Sequence, residues 1–222
     1  MRRFLRENGL SLVLFGLFFL SLIGQSLTGH HEYNDDQKEH GQPSIGFVEY
    51  LGSGHFIEAT FENWESEFLQ MSAFIVFTIF LYQKGSAESK GPGRTEGVDV
   101  ILAGDKAPDD APWPVRRGGW VLKLYENSLS IVFLLLFLAS VFLHAYGGAQ
   151  EYNQDALEHG KRGETVSTFG YITTSRFWFE SFQNWQSEFF SIGAMVVFTI
   201  FLRQKGSPES KPVHASQGET ED

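Results

Sequence analysis

Cysteine is absent from this 222-residue sequence. Without thiols, the chain has no disulfide framework, no thiolate nucleophile and no zinc–thiolate site. Three catalytic signatures are also missing: a glycine-rich phosphate loop, the HExxH zinc motif and a serine nucleophile elbow. We therefore expect no catalytic residues and no cofactor, and the sequence favours a non-enzymatic protein over an enzyme.

Positive charge is scarce. The chain holds 17 Lys and Arg against 27 Asp and Glu, which gives a formal net charge of -10. Proteins that bind nucleic acid need a basic face to neutralise phosphates. This charge balance argues against a nucleic-acid partner.

Apolar residues are plentiful but concentrated, and the composition includes 22 Phe and 5 Trp. Charged loops separate four apolar runs, at residues 10–27, 68–82, 129–146 and 189–202. The first and third runs reach the roughly 18 to 20 residues that cross a bilayer. The other two are shorter, and they span only if their helices begin upstream among polar residues. We therefore predict the lipid bilayer as a partner.

Much of the chain occurs twice, which predicts two copies of a helical hairpin. The repeated motifs are ENxLS at Asn8 and Asn127, EYNx4EHG at Glu32 and Glu151, NWxSEF at Asn63 and Asn184, and QKGSxESK at Gln83 and Gln204. We expect a first hairpin repeat over 1–85, a cytoplasmic linker over 86–123, a second repeat over 124–207 and a disordered tail over 208–222.

Local signals place the helix ends. Asn8 and Asn127 are expected to cap the first helix of each copy with their side-chain oxygens. The Glu39-His40-Gly41 segment is typical of a helix C-terminus. The second helices are expected to begin after the Gly52-Ser53-Gly54 and Thr173-Thr174-Ser175 turns and to end at Lys84-Gly85 and Lys205-Gly206.

The distribution of basic residues predicts the topology. Thirteen of the 17 Lys and Arg lie in the N-terminus, the linker with its flanks and the tail. The positive-inside rule then puts both termini and the linker in the cytoplasm and the two hairpin tips outside the cell membrane. The predicted fold is an all-α membrane protein with four transmembrane helices, arranged as two tandem parallel hairpin repeats with pseudo-two-fold symmetry about the membrane normal. A cleaved signal peptide at the N-terminus is the alternative for the first segment.

The four repeated motifs resemble an uncharacterised family of small bacterial membrane proteins classed as a domain of unknown function. The resemblance covers nearly the whole chain. It implies a bacterial membrane setting and no known activity.

Two carboxylates are the main site candidates. Glu67 and Glu188 each precede an apolar run, and an ionised carboxylate inside a span is costly unless it is paired or hydrated. Asn63 and Asn184 lie one turn earlier and are expected to orient them. The structural alternative is hydrogen bonding between helices. Glu62 and Glu65 are glutamines in the second copy, so we expect them to be solvated at the rim.

The rest of the predicted polar pocket comes from the hairpin tips: Glu39, His40, Tyr33 and their copies Glu158, His159 and Tyr152. Histidine with carboxylate suits zinc, manganese or iron. Helix capping accounts for His40 and His159 without a metal, however, and Tyr33 and Tyr152 are typical of an interfacial belt. We assign no metal site.

Three functions follow from these observations. The first is the binding or passage of an ion, a proton or a small solute through an outward-facing polar pocket between the repeats. The second is a structural or scaffold membrane subunit, in which the polar residues only lock helices together. The third is a metal-dependent membrane enzyme. Four spans are few for a complete transporter, which leaves homo-oligomerisation open.

Overall fold

The computed structural model describes residues 2–91, 93, 95, 97–100, 102, 107–158 and 165–218. Within these residues the secondary structure is helical, and no strand occurs. Four long helices dominate: α2 (Gly9–Glu39), α4 (Gly54–Phe80), α7 (Ser128–Glu158) and α9 (Ser175–Phe201). The shorter helices are α1 (Arg2–Glu7), α3 (Phe47–Tyr50), α5 (Trp113–Arg117), α6 (Gly119–Glu126) and α8 (Thr168–Tyr171).

Helix lengths recur along the chain. Helices of 31, 4 and 27 residues occur in that order as α2, α3 and α4, and again as α7, α8 and α9. The 3-10 turn Gly97–Asp99 and helix α5 lie in the predicted linker, and α6 begins in it at Gly119 and ends after it at Glu126.

In the part of the chain that the structure describes, two helices, α2 and α7, are long and apolar enough to cross a membrane. Most of the large apolar side chains of α2 are exposed, among them Leu10, Phe15 and Leu20. In a bilayer such side chains contact lipid tails, so their exposure costs nothing there. The long apolar helices predicted at these two places are confirmed.

The predicted asparagine caps are wrong in detail. Helix α2 does begin directly after Asn8, and α7 directly after Asn127. Each side-chain amide, however, donates backwards, from Asn8 Nδ2 to Phe4 O at 3.0 Å and from Asn127 Nδ2 to Lys123 O at 2.8 Å. A short helix precedes each asparagine, and a backbone carbonyl in its last turn lies within reach of the side-chain amide.

For the other helix ends, some predictions are confirmed and others are wrong. Helix α2 ends at Glu39 with His40 as its C-cap, and Gly41 takes a positive φ of 71°, as predicted. Helices α4 and α9 end at Phe80 and Phe201, before the predicted lysine and glycine residues.

The predicted lysine–glycine stops lie instead in exit turns built by QKGSxESK. In the first turn Ser89 Oγ accepts from Gln83 N at 3.0 Å, and in the second Ser210 Oγ accepts from Gln204 N at 2.9 Å. Gly85 and Gly206 adopt positive φ values of 85° and 87°.

Contacts divide the chain into two compact units. Unit 1 comprises residues 1–61 and 142–178, and unit 2 comprises 62–141 and 179–222. Helices α4, α7 and α9 contribute residues to both. The boundaries of the predicted repeats and linker stay predictions.

Unit 1 is packed tightly where α4 begins. A Cβ on Gly54 would lie 2.8 Å from Gly147 O, and a Cβ on Gly147 would lie 2.4 Å from Glu58 N. Only glycine allows the two backbones to approach this closely. The first turns of α4 therefore lie directly against α7.

Unit 2 holds aromatic pairs and a buried hydroxyl pair. Phe68 packs on Phe133 with ring centroids 6.3 Å apart, and Phe137 packs on Trp185 at the same distance. The hydroxyl of Ser86, which is fully buried, lies 3.0 Å from that of Thr199. The tail also joins this unit, since Lys211 is buried and its Nζ donates to Ser216 O at 3.1 Å.

Candidate functional site

Each hairpin tip in unit 1 is pinned by the asparagine of the EYN motif. Asn34 Oδ1 accepts from Ile45 N at 2.8 Å, and its Nδ2 donates to Ile45 O at 3.1 Å. Asn153 holds Val166 in the same way, at 2.7 Å and 2.9 Å. One side-chain amide thus satisfies both backbone groups of one loop residue in each tip.

A buried tyrosine in each tip packs where a glycine leaves room. Tyr50 and Tyr171 are 1% and 0% exposed. A Cβ on Gly29 would lie 2.2 Å from Tyr50 Oη, and one on Gly148 would lie 2.3 Å from Tyr171 Cε1. These rings lie close against helix backbone, which positions their hydroxyl groups.

The hydroxyl of Tyr171 is hydrogen-bonded to a buried carboxylate. Tyr171 Oη donates to Glu58 Oε1 at 3.0 Å, and Glu58 is only 6% exposed. Arg176 Nη2 lies 3.8 Å from the same oxygen. A buried carboxylate needs such partners, because desolvation of an unpaired charge costs several kcal/mol.

Beside Glu58 lies His144, the one histidine of the apolar run of α7. It is fully buried, and its ring stacks on Phe177 with centroids 4.8 Å apart. The ligand atoms of His144 and Glu58 lie within 4.8 Å of each other. An imidazole and a carboxylate at this separation can exchange a proton through one bridging water molecule.

The buried pair connects to the surface of unit 1 through a charged pair. Arg176 Nη1 donates to Asp155 Oδ2 at 2.7 Å, and both side chains are roughly two-fifths exposed. Arg176 therefore lies between the accessible carboxylate of Asp155 and the buried carboxylate of Glu58. The five side chains Glu58, His144, Asp155, Tyr171 and Arg176 form what we call the Glu58 cluster.

The first tip carries a different polar set. Tyr50 Oη lies 3.1 Å from His55 Nδ1, and His55 Nε2 lies 3.4 Å from the exposed carboxylate of Glu32. Burial, together with the negative charges of Glu32 and Glu151, raises the pKa of Tyr50 to about 12. Tyr50 is therefore a neutral hydroxyl at physiological pH.

The four candidates of the NWxSEF motif lie in unit 2. Glu67 and Asn63 are exposed, while Glu188 and Asn184 are half-buried. The charges of Glu67 and Glu188 are close enough to interact. Asn184 does not orient Glu188. Its Nδ2 donates to Glu62 Oε1 at 2.8 Å instead.

The buried carboxylate of this motif is Glu65, and our expectation that it is solvated is wrong. Glu65 is 0% exposed, and its Oε1 accepts from Trp185 Nε1 at 3.0 Å. A glutamine at the matched position of the second copy does not indicate solvation here, because a tryptophan of α9 covers Glu65 and nothing in the repeat pattern specifies that contact.

The remaining candidates lie in unit 1. Tyr33 is buried and exchanges hydrogen bonds with Gln154 at 2.9 and 3.2 Å. Tyr152 packs edge-on against Tyr171 at 6.1 Å. Glu39 and His40 are exposed at the end of α2, and His40 Nδ1 lies 3.0 Å from Asp36 O, in agreement with its predicted capping role. The Glu158 side chain and all of His159 lie outside the described residues.

Sequence reasoning missed the Glu58 cluster. The repeat pattern selects neither His144 nor Glu58, because neither residue belongs to a repeated motif. The available signal was a histidine inside the apolar run 129–146, since ionisable residues in such runs are functional candidates in membrane proteins.

Comparisons with known proteins supply a family but no activity. No curated protein matches the sequence, and no solved structure matches it. The family described as a domain of unknown function (DUF6766) matches residues 1–222. The chain therefore belongs to this family, which confirms the uncharacterised family that its motifs indicated.

Proposed function

We propose that the chain is a multi-pass protein of the cell membrane with four spans, formed by α2, α4, α7 and α9 as two parallel hairpins related by a pseudo-two-fold axis. The recurrence of 31-, 4- and 27-residue helices supports this arrangement. The matched tip contacts of Asn34 and Asn153 support it as well. In this topology both termini and the linker are cytoplasmic, as the basic residues predict. The bacterial setting stays a prediction.

The proposed activity is reversible proton binding at the Glu58–His144 pair. The observation that carries it is a fully buried histidine within 4.8 Å of a carboxylate that is itself 6% exposed. Ionisable groups are rare in spans because their burial is costly, and those found there usually serve proton or ion pathways. The half-exposed Asp155 and Arg176 give the pair a polar route to the outer side.

A proton fits this cluster better than a metal cation. Histidine and carboxylate both suit zinc or iron. Arg176 lies 3.8 Å from Glu58 Oε1, however, and its permanent positive charge opposes a second cation there. Protonation of the Glu58–His144 pair adds only one positive charge, and the negative charge of Glu58 balances it.

The test is infrared difference spectroscopy of purified protein between about pH 4 and about pH 8, the range in which carboxylates and imidazoles titrate. Glu58→Gln is expected to remove one carboxyl contribution from the difference spectrum, and His144→Gln to remove one imidazole contribution. The amide oxygen that Glu58→Gln introduces can still accept the Tyr171 hydrogen bond, so this variant keeps the fold. The matched control is the Glu67→Gln/Glu188→Gln double variant, which keeps the Glu58 bands.

Two results would replace this proposal. If the Glu67→Gln/Glu188→Gln variant loses a carboxyl contribution and Glu58→Gln loses none, the site is the carboxylate pair of unit 2 that the sequence predicts. If elemental analysis finds close to one zinc, iron or manganese per chain, and His144→Gln removes it, the cluster is a metal site.

A structural subunit is the second candidate function, and contacts in unit 2 favour it. Glu65 accepts from Trp185, and Glu62 accepts from Asn184, so polar groups of α4 and α9 satisfy each other. Hydrogen bonds between spans hold membrane helices together. Under this alternative, Glu58→Gln and His144→Gln leave the pH-dependent infrared bands unchanged.

A further inference from the structure

Two short helices of unit 2, α5 and α6, directly precede α7 in the chain. Gly118 and Gly119, with positive φ values of 67° and 64°, join them, and the two helices pack against each other. Only Asn127 separates α6 from α7. Because consecutive Cα atoms are about 3.8 Å apart, the end of α6 lies where the proposed α7 span begins.

Each of these helices presents a tryptophan and, one turn later, basic residues on the same face. The pattern is W-x-x-R-R on α5 and W-x-x-K-L on α6, and residues at i, i+3 and i+4 share a helix face. We call the six exposed side chains of this pattern the α5–α6 patch: Trp113, Arg116, Arg117, Trp120, Lys123 and Leu124.

The charge of the α5–α6 patch is opposite to that of the whole chain. The chain has a net charge of -10, whereas residues 113–126 hold three basic residues and one acidic residue, Glu126. Within the part of the chain that the structure describes, none of the three basic side chains pairs with a carboxylate. The Arg117 guanidinium lies 5.4 Å from the centroid of the Trp113 ring, a cation–π contact that leaves its charge uncompensated. This positive charge is therefore available to an anionic partner.

The apolar part of the α5–α6 patch indicates which anionic partner it fits. Trp113 and Trp120 are 57% and 73% exposed, and Leu124 is 51% exposed. Tryptophan is enriched at the level of lipid headgroups, where its ring and its N–H each find a suitable environment. Arginine and lysine extend their apolar stems along the same layer and keep their charge among the phosphates. A face that combines both directly ahead of a span is complementary to an anionic lipid surface.

We propose that the α5–α6 patch binds the headgroups of anionic phospholipids at the cytoplasmic surface of the membrane, with its basic side chains on phosphate groups and its tryptophan rings among the headgroups. The inference rests on the membrane placement of α7 in the proposed function and is independent of proton binding. A zwitterionic surface offers the same phosphates, but a choline cation compensates each of them. The net negative charge of the lipid therefore provides the selectivity.

A fluorescent probe at Leu124 tests the proposal on the full-length protein in lipid nanodiscs. Leu124→Cys gives the cysteine-free chain a single thiol for nitrobenzoxadiazole, whose emission moves to shorter wavelength in a less polar environment. The discs contain phosphatidylcholine alone, or equal amounts of phosphatidylcholine and phosphatidylglycerol with identical acyl chains. We expect emission at shorter wavelength in the discs with phosphatidylglycerol. Salt at about 1 M should remove the difference, because the Debye length is then only about 3 Å.

Further substitutions in the labelled Leu124→Cys chain identify the groups responsible. Arg116→Gln/Arg117→Gln is expected to remove the difference, since each basic residue at an anionic surface contributes about fivefold to the affinity and two contribute about thirtyfold. Arg116→Lys/Arg117→Lys retains both charges and should keep the difference. Lys84→Gln/Lys205→Gln is the matched control, because it removes two exposed basic residues from the exit turns and should keep the difference as well.

Three results would overturn the proposal. Equal emission from the Leu124 probe in the two kinds of disc would mean that the α5–α6 patch faces solvent or a protein partner rather than lipid. A difference that persists in Arg116→Gln/Arg117→Gln, or that Lys84→Gln/Lys205→Gln also removes, would mean that the patch does not select the lipid. The same probe at Ser44→Cys, an exposed position far along the chain, should emit equally in both kinds of disc.

Membrane placement is checked separately by alkaline carbonate extraction of native membranes. Loss of the protein into the soluble fraction would overturn the four-span fold, whereas a membrane-retained protein without the emission difference overturns the α5–α6 proposal alone.

Discussion

Tyr171 donates a 3.0 Å hydrogen bond to Glu58 while its ring occupies the space beside Gly148. The glycine, the tyrosine and the carboxylate come from three different helices of unit 1. A change at the glycine should therefore displace the hydroxyl that satisfies Glu58.

We predict that Gly148→Ala destabilises the protein by about 1–3 kcal/mol, because a Cβ there would lie 2.3 Å from the Tyr171 ring. Thermal unfolding in detergent would show a lower Tm. Gly24→Ala is the control, since no atom lies within 4 Å of the Cβ position at this helical site. It should leave the Tm unchanged or raise it slightly. Equal effects of the two variants would contradict the packing described for Tyr171.

Asn153→Ala should loosen the second hairpin tip. The substitution removes the two hydrogen bonds that hold the backbone of Val166, at a cost of about 1–3 kcal/mol. Limited proteolysis should then cut the chain beside Val166 faster than in the wild type. Asn127→Ala loses one exposed bond to Lys123 O and should not change the cleavage rate at the tip.

The proposed topology predicts which single cysteines react on intact cells. Because the chain has no native cysteine, Ser44→Cys at the first tip and Asp110→Cys in the linker each introduce one thiol, and both positions are exposed. An impermeant maleimide should label only Ser44→Cys, and lysis should expose Asp110→Cys. Labelling of the linker alone would reverse the orientation.

Because of Tyr50, we expect the free energy of unfolding to fall at alkaline pH. Its pKa is raised from 10.0 to about 12, so the folded state holds the proton more tightly than the unfolded chain does. The stabilisation is present in full below pH 10 and is lost as pH rises through about 12. Thermal unfolding from pH 9 to pH 12 should show a smaller decline for Tyr50→Phe than for the wild type. Tyr82→Phe, at an exposed position, should decline like the wild type.

The sequence alone determined the helical class, the family and the positions of the long apolar helices. Apolar runs of about 18 residues permit few structures other than a helix, and each repeated motif lies at a helix boundary or a turn or just before an apolar run. The His40–Gly41 stop followed from local chemistry, because a glycine with positive φ serves the same purpose in any fold.

Only the tertiary structure decided which polar residues are buried. Glu65 and Glu67 are two residues apart on α4, so they point about 200° apart around the helix, and both precede the same apolar run. Trp185 of α9 covers one of them, and no local pattern specifies that contact. Glu58 and His144 are 86 positions apart, and neither belongs to a repeated motif. They lie close together because Gly54 and Gly147 allow the backbones of α4 and α7 to approach each other. Burial depends on which helix faces which, and the free energy that fixes this choice is distributed over the packed surface of the unit rather than encoded in any one segment.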